Sequence, residues 1–272
     1  MIKKKEKKQK KQKKQKVVYI PQKGIMGNAD DYHVYSLSFT ERVQGFLIGG
    51  IAAAVVLHVF FEFIPLSLLG FVFVGVKAIP IYQQYLLKKR KKELVFQFKD
   101  MLESLTSSYS AGKNTRDAFI DCLGDMRNMY GDDGDIVKEL KIIVSGMENN
   151  VNIERLLLDF ADRSDLDDVE SFANVFDVSL RQGADIKNII SSTSDIISDK
   201  IDIELDMNTL LASNKNELNV MMIMPLIISL SLKGMSGDTF GNTGVTVIAK
   251  VVAVVMFIVA YKMGQKVTDI KI

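Results

Sequence analysis

The chain of 272 residues contains one cysteine, two histidines and four prolines. A single cysteine excludes a disulfide framework and any cysteine-rich zinc site. The two histidines do not have the spacing of paired metal ligands, so the sequence predicts no metal centre and no cofactor. The G-x-x-x-x-G-K-[S/T] phosphate loop of ATPases is also missing. The nearest match, at Gly112-Lys113-Asn114, lacks the first glycine and the hydroxyl.

Charge is segregated along the chain, although the formal net charge is only +2. Residues 1–16 hold ten lysines and one glutamate, whereas residues 93–218 hold 26 acidic against 12 basic residues, a net charge of −14. Apolar blocks separate the charged blocks, which is the organisation of a membrane protein. A short basic run predicted to lie at the membrane edge comprises Lys88, Lys89, Arg90, Lys91 and Lys92.

Two apolar segments, 44–61 and 64–82, follow each other closely. Each approaches the roughly 20 residues that a helix needs to span a membrane. Pro65 lies just after the short turn between them, so we expect a tight membrane hairpin. The alternative is one long buried helix of a soluble core, and the flanking lysine clusters argue against it.

A second pair of apolar segments, 219–232 and 245–261, is less clear. The first of these is short and contains Pro225, so it could enter the membrane and return, although we favour a complete span. Lysine and arginine concentrate on one side of both pairs, and the positive-inside rule then places both termini in the cytoplasm. The lysine-rich tail suits anionic lipid better than nucleic acid because it has no interleaved aromatic residues.

Residues 93–218 contain no proline, and their apolar residues recur at helical spacing. The sequence therefore predicts an all-α integral membrane protein in which an antiparallel cytoplasmic helical bundle lies between two transmembrane helix pairs. The six helices of the bundle are expected at about 91–111, 115–129, 134–147, 153–163, 167–182 and 186–216. The predicted divisions are a basic tail and entry segment (1–43), a transmembrane hairpin (44–87), the bundle (88–218) and a C-terminal transmembrane pair with a short tail (219–272).

Three short sites within the predicted bundle each combine a residue that ends one helix with a residue that begins the next. The first residue tolerates the left-handed conformation found after a helix. The second, two positions later, has a side-chain oxygen that can accept hydrogen bonds from the first amides of a helix. We expect each site to form a corner between antiparallel helices. The pairs are Gly112 with Asn114, Asn150 with Asn152, and Gly183 with Asp185.

Catalytic chemistry has no clear candidate, and we expect that the chain is not an enzyme. Asp132, Asp133 and Asp135 suit a solvated turn better than a cation site, since the calcium-loop pattern is missing. Cys122 is better explained as a small core residue than as a nucleophile. The acidic excess favours attraction of basic partners, with solubility alone as the alternative. The candidate partner surface on the last helix comprises Asp199, Asp202, Glu204 and Asp206.

The run from Gln97 to Phe119, QFKDMLESLTSSYSAGKNTRDAF, resembles the first helical hairpin of the type II secretion system F domain. The run LRQGADIKNII at 180–190, followed by a long helix, resembles the final hairpin of that domain. The resemblance covers approximately residues 91–232. With one such domain and paired spans, the chain is most similar to the B and C membrane proteins of the tight-adherence (Tad/Flp) pilus.

This resemblance implies a platform protein of the bacterial cytoplasmic (inner) membrane, which couples a separate cytoplasmic ATPase to pilin assembly in a type IV pilus or a type II secretion machine. The implied partners are the secretion or pilus ATPase, a paralogous platform protein, pilin subunits and membrane lipids, within a homo- or hetero-oligomer and without nucleic acid. The alternative is a transporter or channel subunit, which needs polar residues along a path through the membrane. The candidates for such a path are Lys77, Lys250, Glu62 and His58.

Overall fold

The structure, a computed structural model, describes residues 21–27, 29–61, 63–182 and 185–236, together with 248, 251–253, 255–256, 259–260 and 262–264. These residues contain no strand, which confirms an all-helical chain over the part described. The lysine-rich tail, Gly183 and much of the predicted segment 245–261 lie outside the described residues. The long helices are α1 (Phe39–Phe61), α2 (Ile64–Ser110), α3 (Thr115–Tyr130), α4 (Asp135–Glu148), α5 (Ile153–Ser164), α6 (Asp167–Gln182) and α7 (Ile186–Ser236).

Helices α1 and α2 form a close pair, and both are long and apolar enough to cross a membrane. Only 11% of the most apolar stretch of each is buried within the protein. The two helices approach closely through glycine: a Cβ added to Gly49 would lie 2.2 Å from the Cβ of Ala78. A larger residue at position 49 would therefore force the helices apart, which is the usual reason for small residues between packed membrane helices.

Two helices are much longer than the rest. α2 has 47 residues and continues through Pro80, and α7 has 51 residues and continues through Pro225. At a rise of 1.5 Å per residue, α2 is about 70 Å long and α7 about 75 Å long. α7 includes the predicted apolar segment 219–232, but among the described residues only α1 and α2 qualify as candidate spans.

The helices from α2 to α7 share one cluster of buried apolar residues. The ring of Phe98 in α2 meets Phe160 in α5 and Phe172 in α6 edge-on, with centroids 6.3 and 5.6 Å apart. The ring of Phe119 in α3 meets Phe176 in α6 at 6.5 Å. Edge-to-face ring pairs contribute roughly 0.5–1.5 kcal/mol beyond the apolar area that they bury. The core therefore joins elements that are distant in sequence.

Polar contacts show the relative direction of the early helices. Ser104 in α2 donates to Asp125 in α3 at 2.6 Å, and Tyr130, at the end of α3, donates to Asp100. Helix α3 therefore runs back along α2. Helix α4 begins beside the same part of α2, because the Ile136 amide donates to Gln97 Oε1 at 2.9 Å.

The corner at 110–115 has the backbone geometry that its residue types suit. Gly112 has a φ of +79°, in the left-handed region. Asn114 precedes α3, and its side chain accepts from the amide of Asp117 at 2.9 Å. This hydrogen bond satisfies one of the amide groups that the first turn of a helix leaves free.

The other two corners differ from each other. Asn150 has a φ of +58°, again left-handed, but the Asn152 side chain makes no capping hydrogen bond. The prediction for the Asn152 side chain is therefore wrong: its backbone carbonyl, not its amide side chain, accepts the first hydrogen bonds of α5. At the third corner, Asp185 accepts from the Asn188 amide at 3.3 Å, and the preceding Gly183 lies outside the described residues.

Two helical glycines give opposite predictions for the same substitution. A Cβ at Gly124 would meet nothing within 4 Å, so Gly124→Ala should stabilise the protein by about 0.5–1 kcal/mol through a less flexible unfolded chain. A Cβ at Gly146 would lie 2.6 Å from a methyl group of the buried Leu156, so Gly146→Ala should destabilise it.

The measurement uses Cys122, the sole thiol of the chain, as a reporter of core opening. Cys122 is buried, and burial raises the pKa of its thiol to about 12, so a thiol-reactive fluorophore should label it only as the core opens on heating. Gly124→Ala should raise the labelling midpoint temperature and Gly146→Ala should lower it. A shift of both variants in the same direction would contradict the packing described.

Candidate functional site at the basic junction

The basic run of α2 contacts carboxylates from other parts of the chain. Arg90 donates to both oxygens of Asp135, at the start of α4, at 2.8 and 2.6 Å. Arg90 also donates to a second carboxylate, Asp30 in the segment before α1, at 2.8 Å. A fork of two parallel hydrogen bonds to one carboxylate is the strong form of such a pair. Arg90 therefore joins three parts of the chain.

The next two residues of the run connect α2 to two further elements. Lys91 pairs with Asp165 at the corner between α5 and α6, and Lys92 pairs with Glu204 of α7 at 2.7 Å. Each of these pairs is partly exposed, so each contributes only about 0–1 kcal/mol to stability. Their importance lies in position, because together with Arg90 they fix α2 to four other segments within one helical turn.

The segment that precedes α1, of which the structure describes residues 21–27 and 29–38, lies against the helical core, and we name it the entry strap. Tyr32 of the strap is fully buried, and its hydroxyl donates to Glu139 Oε1 of α4 at 3.0 Å. The Arg90 guanidinium lies 4.6 Å from the centroid of the Tyr32 ring, in cation–π geometry. The Tyr32 amide also donates to the carbonyl of Arg163 at 3.0 Å. The strap is therefore held by side-chain and backbone contacts.

A buried ion pair lies beneath the strap. Arg163 of α5 donates to both oxygens of Glu139 at 2.8 and 2.6 Å, and both side chains are at most 1% exposed. Arg163 also donates to Asp159 at 2.9 Å and to the carbonyl of Asp30 at 2.8 Å. Removing two ions from water costs several kcal/mol each, which only near-complete hydrogen bonding offsets. Here the strap supplies part of that bonding.

The protonation of Glu139 reflects this balance. Burial raises the pKa of Glu139, while the hydrogen bonds from Arg163 and Tyr32 oppose that rise. Neither Glu139 nor Arg163 is among the candidate residues predicted from the sequence. A signal was present, since each is a charged residue on the apolar face of an amphipathic helix: Glu139 follows Ile136 by three residues, and Arg163 follows Phe160 by three.

The predicted acidic surface on α7 is only partly as expected. Asp199, Asp202 and Asp206 are exposed and share one face of the helix, as spacings of three and four residues require. Glu204 lies on a different side of α7 and pairs with Lys92 at 2.7 Å, so it does not share the face of the other three residues. Asp195 belongs to the same face and was missed. The acidic face, as we use the name below, comprises Asp195, Asp199, Asp202 and Asp206.

Other residues considered as candidates in the sequence make contacts that stabilise the fold. Asp132 pairs with Arg127 and Lys141 at the exposed turn before α4, and these contacts lower its pKa. Cys122 donates to the carbonyl of Met101 at 3.6 Å inside the core. Across the described ranges, no group of three or more histidine, cysteine or carboxylate side chains is arranged to hold a metal ion.

The chain was compared with protein-family models, curated proteins and solved structures, and none of them matches. The resemblance to the secretion F domain therefore depends on the sequence pattern alone.

The buried pair predicts a distinctive pattern of stability changes. Arg163→Met should cost about 3–5 kcal/mol, because Glu139 would remain buried without its partner. Tyr32→Phe should cost less, about 1–3 kcal/mol, because it removes one hydrogen bond to a charged group. The double variant Glu139→Leu with Arg163→Met should recover much of the loss, since it leaves no unpaired charge. Thermal labelling of Cys122 measures all three, and a double variant as unstable as Arg163→Met would contradict the assignment.

Proposed function

We propose that the chain is a platform protein of the bacterial cytoplasmic (inner) membrane. It couples a separate cytoplasmic ATPase to pilin assembly, in a type IV pilus of the Tad/Flp kind or in a type II secretion machine. The α1–α2 hairpin crosses the membrane, and both termini and helices α3–α6 lie in the cytoplasm as an antiparallel bundle. The observation that carries the proposal is the continuity of α2 from the apolar hairpin, through the basic run, into the shared core.

Continuity of α2 suits a protein that transmits movement. A helix without a break at the membrane edge moves both of its halves together. The basic run fixes this helix to the entry strap, to α4, to the α5–α6 corner and to α7, so these segments follow it. Displacement of the cytoplasmic helices by a motor would therefore reach the membrane hairpin with little loss.

The α1–α2 hairpin and the acidic face of α7 offer different surfaces to different partners. The hairpin exposes large apolar side chains such as Ile48, Leu68 and Phe73, which suit lipid, pilin helices or another platform subunit. The acidic face of α7 carries four carboxylates, and it also exposes Ile196 and Ile203. Acidic charge beside apolar side chains suits a basic protein partner, and in this proposal that partner is the ATPase.

A transporter or channel subunit is the second candidate. Lys77 supports it, because this cation lies in the apolar part of α2. Its ammonium group lies 5.6 Å from the centroid of the Phe73 ring, one turn earlier in the same helix. A cation in contact with a neighbouring ring of its own helix does not require a water-filled path.

A crosslinking experiment in the native host tests the proposal. A photo-reactive amino acid at Asp202 should capture a secretion ATPase, identified by mass spectrometry, whereas the same group at the exposed Met129 on α3 should not. Reversing the charge of Asp199, Asp202 and Asp206 together should abolish pilus assembly or secretion while the chain stays in the membrane fraction. Recovery of the chain without detergent in the soluble fraction, or solute flux through the purified chain in liposomes, would contradict the proposal.

A further inference from the structure

An open surface cavity of about 400 Å³ lies where α2 meets the α5–α6 corner and α7. Its volume is within the range of small-molecule sites, which is about 300–1,000 Å³. Four lining residues are apolar and the other eight are charged; the apolar ones are Val95, Phe96, Leu166 and Ile201. No protein segment among the described residues fills it.

The charges around this cavity are nearly all paired with each other. Three ion pairs cross between the elements that line it: Lys91 with Asp165, Lys92 with Glu204, and Lys200 with Asp168. Two lining ions remain, Lys88 on α2 and Asp167 at the start of α6, and neither side chain makes a hydrogen bond or an ion pair with another described residue. The cavity therefore offers one free cation and one free anion.

Along α2, the face that leads to the cavity changes from apolar to aromatic to basic residues. Ile81, Tyr85, Lys88 and Lys92 follow each other at spacings of four, three and four residues, so they share one face of α2. Ile81 is 70% exposed and Tyr85 is 62% exposed. An apolar, then an aromatic, then a basic residue is the order in which a helix leaves a bilayer and enters the headgroup layer. Lys88 is therefore expected at the depth of lipid phosphates.

We propose that this cavity binds the headgroup of a zwitterionic phospholipid that carries a primary ammonium. Its phosphate pairs with Lys88, its ammonium donates to Asp167, and one acyl chain follows Ile81 and Tyr85. The proposal rests on the proposed function only in requiring that the hairpin lies in a membrane.

The two free charges define which lipid fits. Phosphatidylglycerol would pair with Lys88, but it brings no positive charge to Asp167, so its hydroxyls would form only the weaker hydrogen bonds of a neutral donor. A quaternary ammonium has no N–H group, so it cannot donate a hydrogen bond to the Asp167 carboxylate. A headgroup with both a phosphate and a primary ammonium satisfies both side chains, and it leaves the existing ion pairs intact.

Native mass spectrometry of the full chain in detergent can test this selectivity. Phosphatidylethanolamine, phosphatidylcholine and phosphatidylglycerol with identical acyl chains are offered in equal amounts. Phosphatidylethanolamine should be retained several-fold better than either of the others. Asp167→Asn should remove its advantage over phosphatidylcholine, and Lys88→Gln should weaken retention of both phosphatidylethanolamine and phosphatidylglycerol.

Two matched variants control for charge alone. Lys89→Gln removes a neighbouring cation that pairs with Glu93, and Asp162→Asn removes an exposed carboxylate outside the cavity. Neither should alter headgroup preference. Equal retention of all three lipids, or equal losses in Lys88→Gln and Lys89→Gln, would overturn the inference. A chain that fractionates without membrane would instead refute the proposed function, so the two failures are distinguishable.

Discussion

The arrangement of this protein depends on how one turn of α2 is held. Arg90, Lys91 and Lys92 contact carboxylates from four other segments, and these contacts fix the apolar hairpin relative to the helical core. The two lysine pairs are individually weak, but they act on a helix that is already continuous and already packed against the core. The basic run, which the sequence predicts to lie at the membrane edge, therefore makes most of its contacts within the protein.

The buried ion pair of Glu139 and Arg163 provides a second link between the helical core and the entry strap. Apolar residues of similar volume would often give equal or greater stability than a buried ion pair. What the pair adds here is directional hydrogen bonding to the entry strap. Arg163 donates to the carbonyl of Asp30, and Glu139 accepts from the hydroxyl of Tyr32. These hydrogen bonds hold the entry strap in one position, and they thereby fix the start of α1 relative to the core.

Much of the helical framework could be predicted from sequence, because its boundaries are local. Corner residues such as Gly112 and Asn114 specify where helices end and begin, and α3 to α6 begin and end within about two residues of the predicted bounds. The contacts that individual side chains make depend less on the local sequence. Glu204 is separated from Asp202 by about 200° around the helix, so helical geometry alone would have excluded it from the acidic face. The entry strap has no periodicity and its contacts span more than 100 residues, so no pattern in the sequence predicts it.

Helix α2 continues through the basic run as a single helix, and a distance measurement tests this continuity directly. In a Cys122→Ala background, spin labels at the exposed Tyr85 and Glu103 lie on either side of the basic run and 18 residues apart. A continuous helix predicts one narrow distance distribution near 27 Å between the labelled backbone positions in lipid nanodiscs, at about 1.5 Å per residue. A broad distribution, or two populations, would show that the junction bends and would contradict the account.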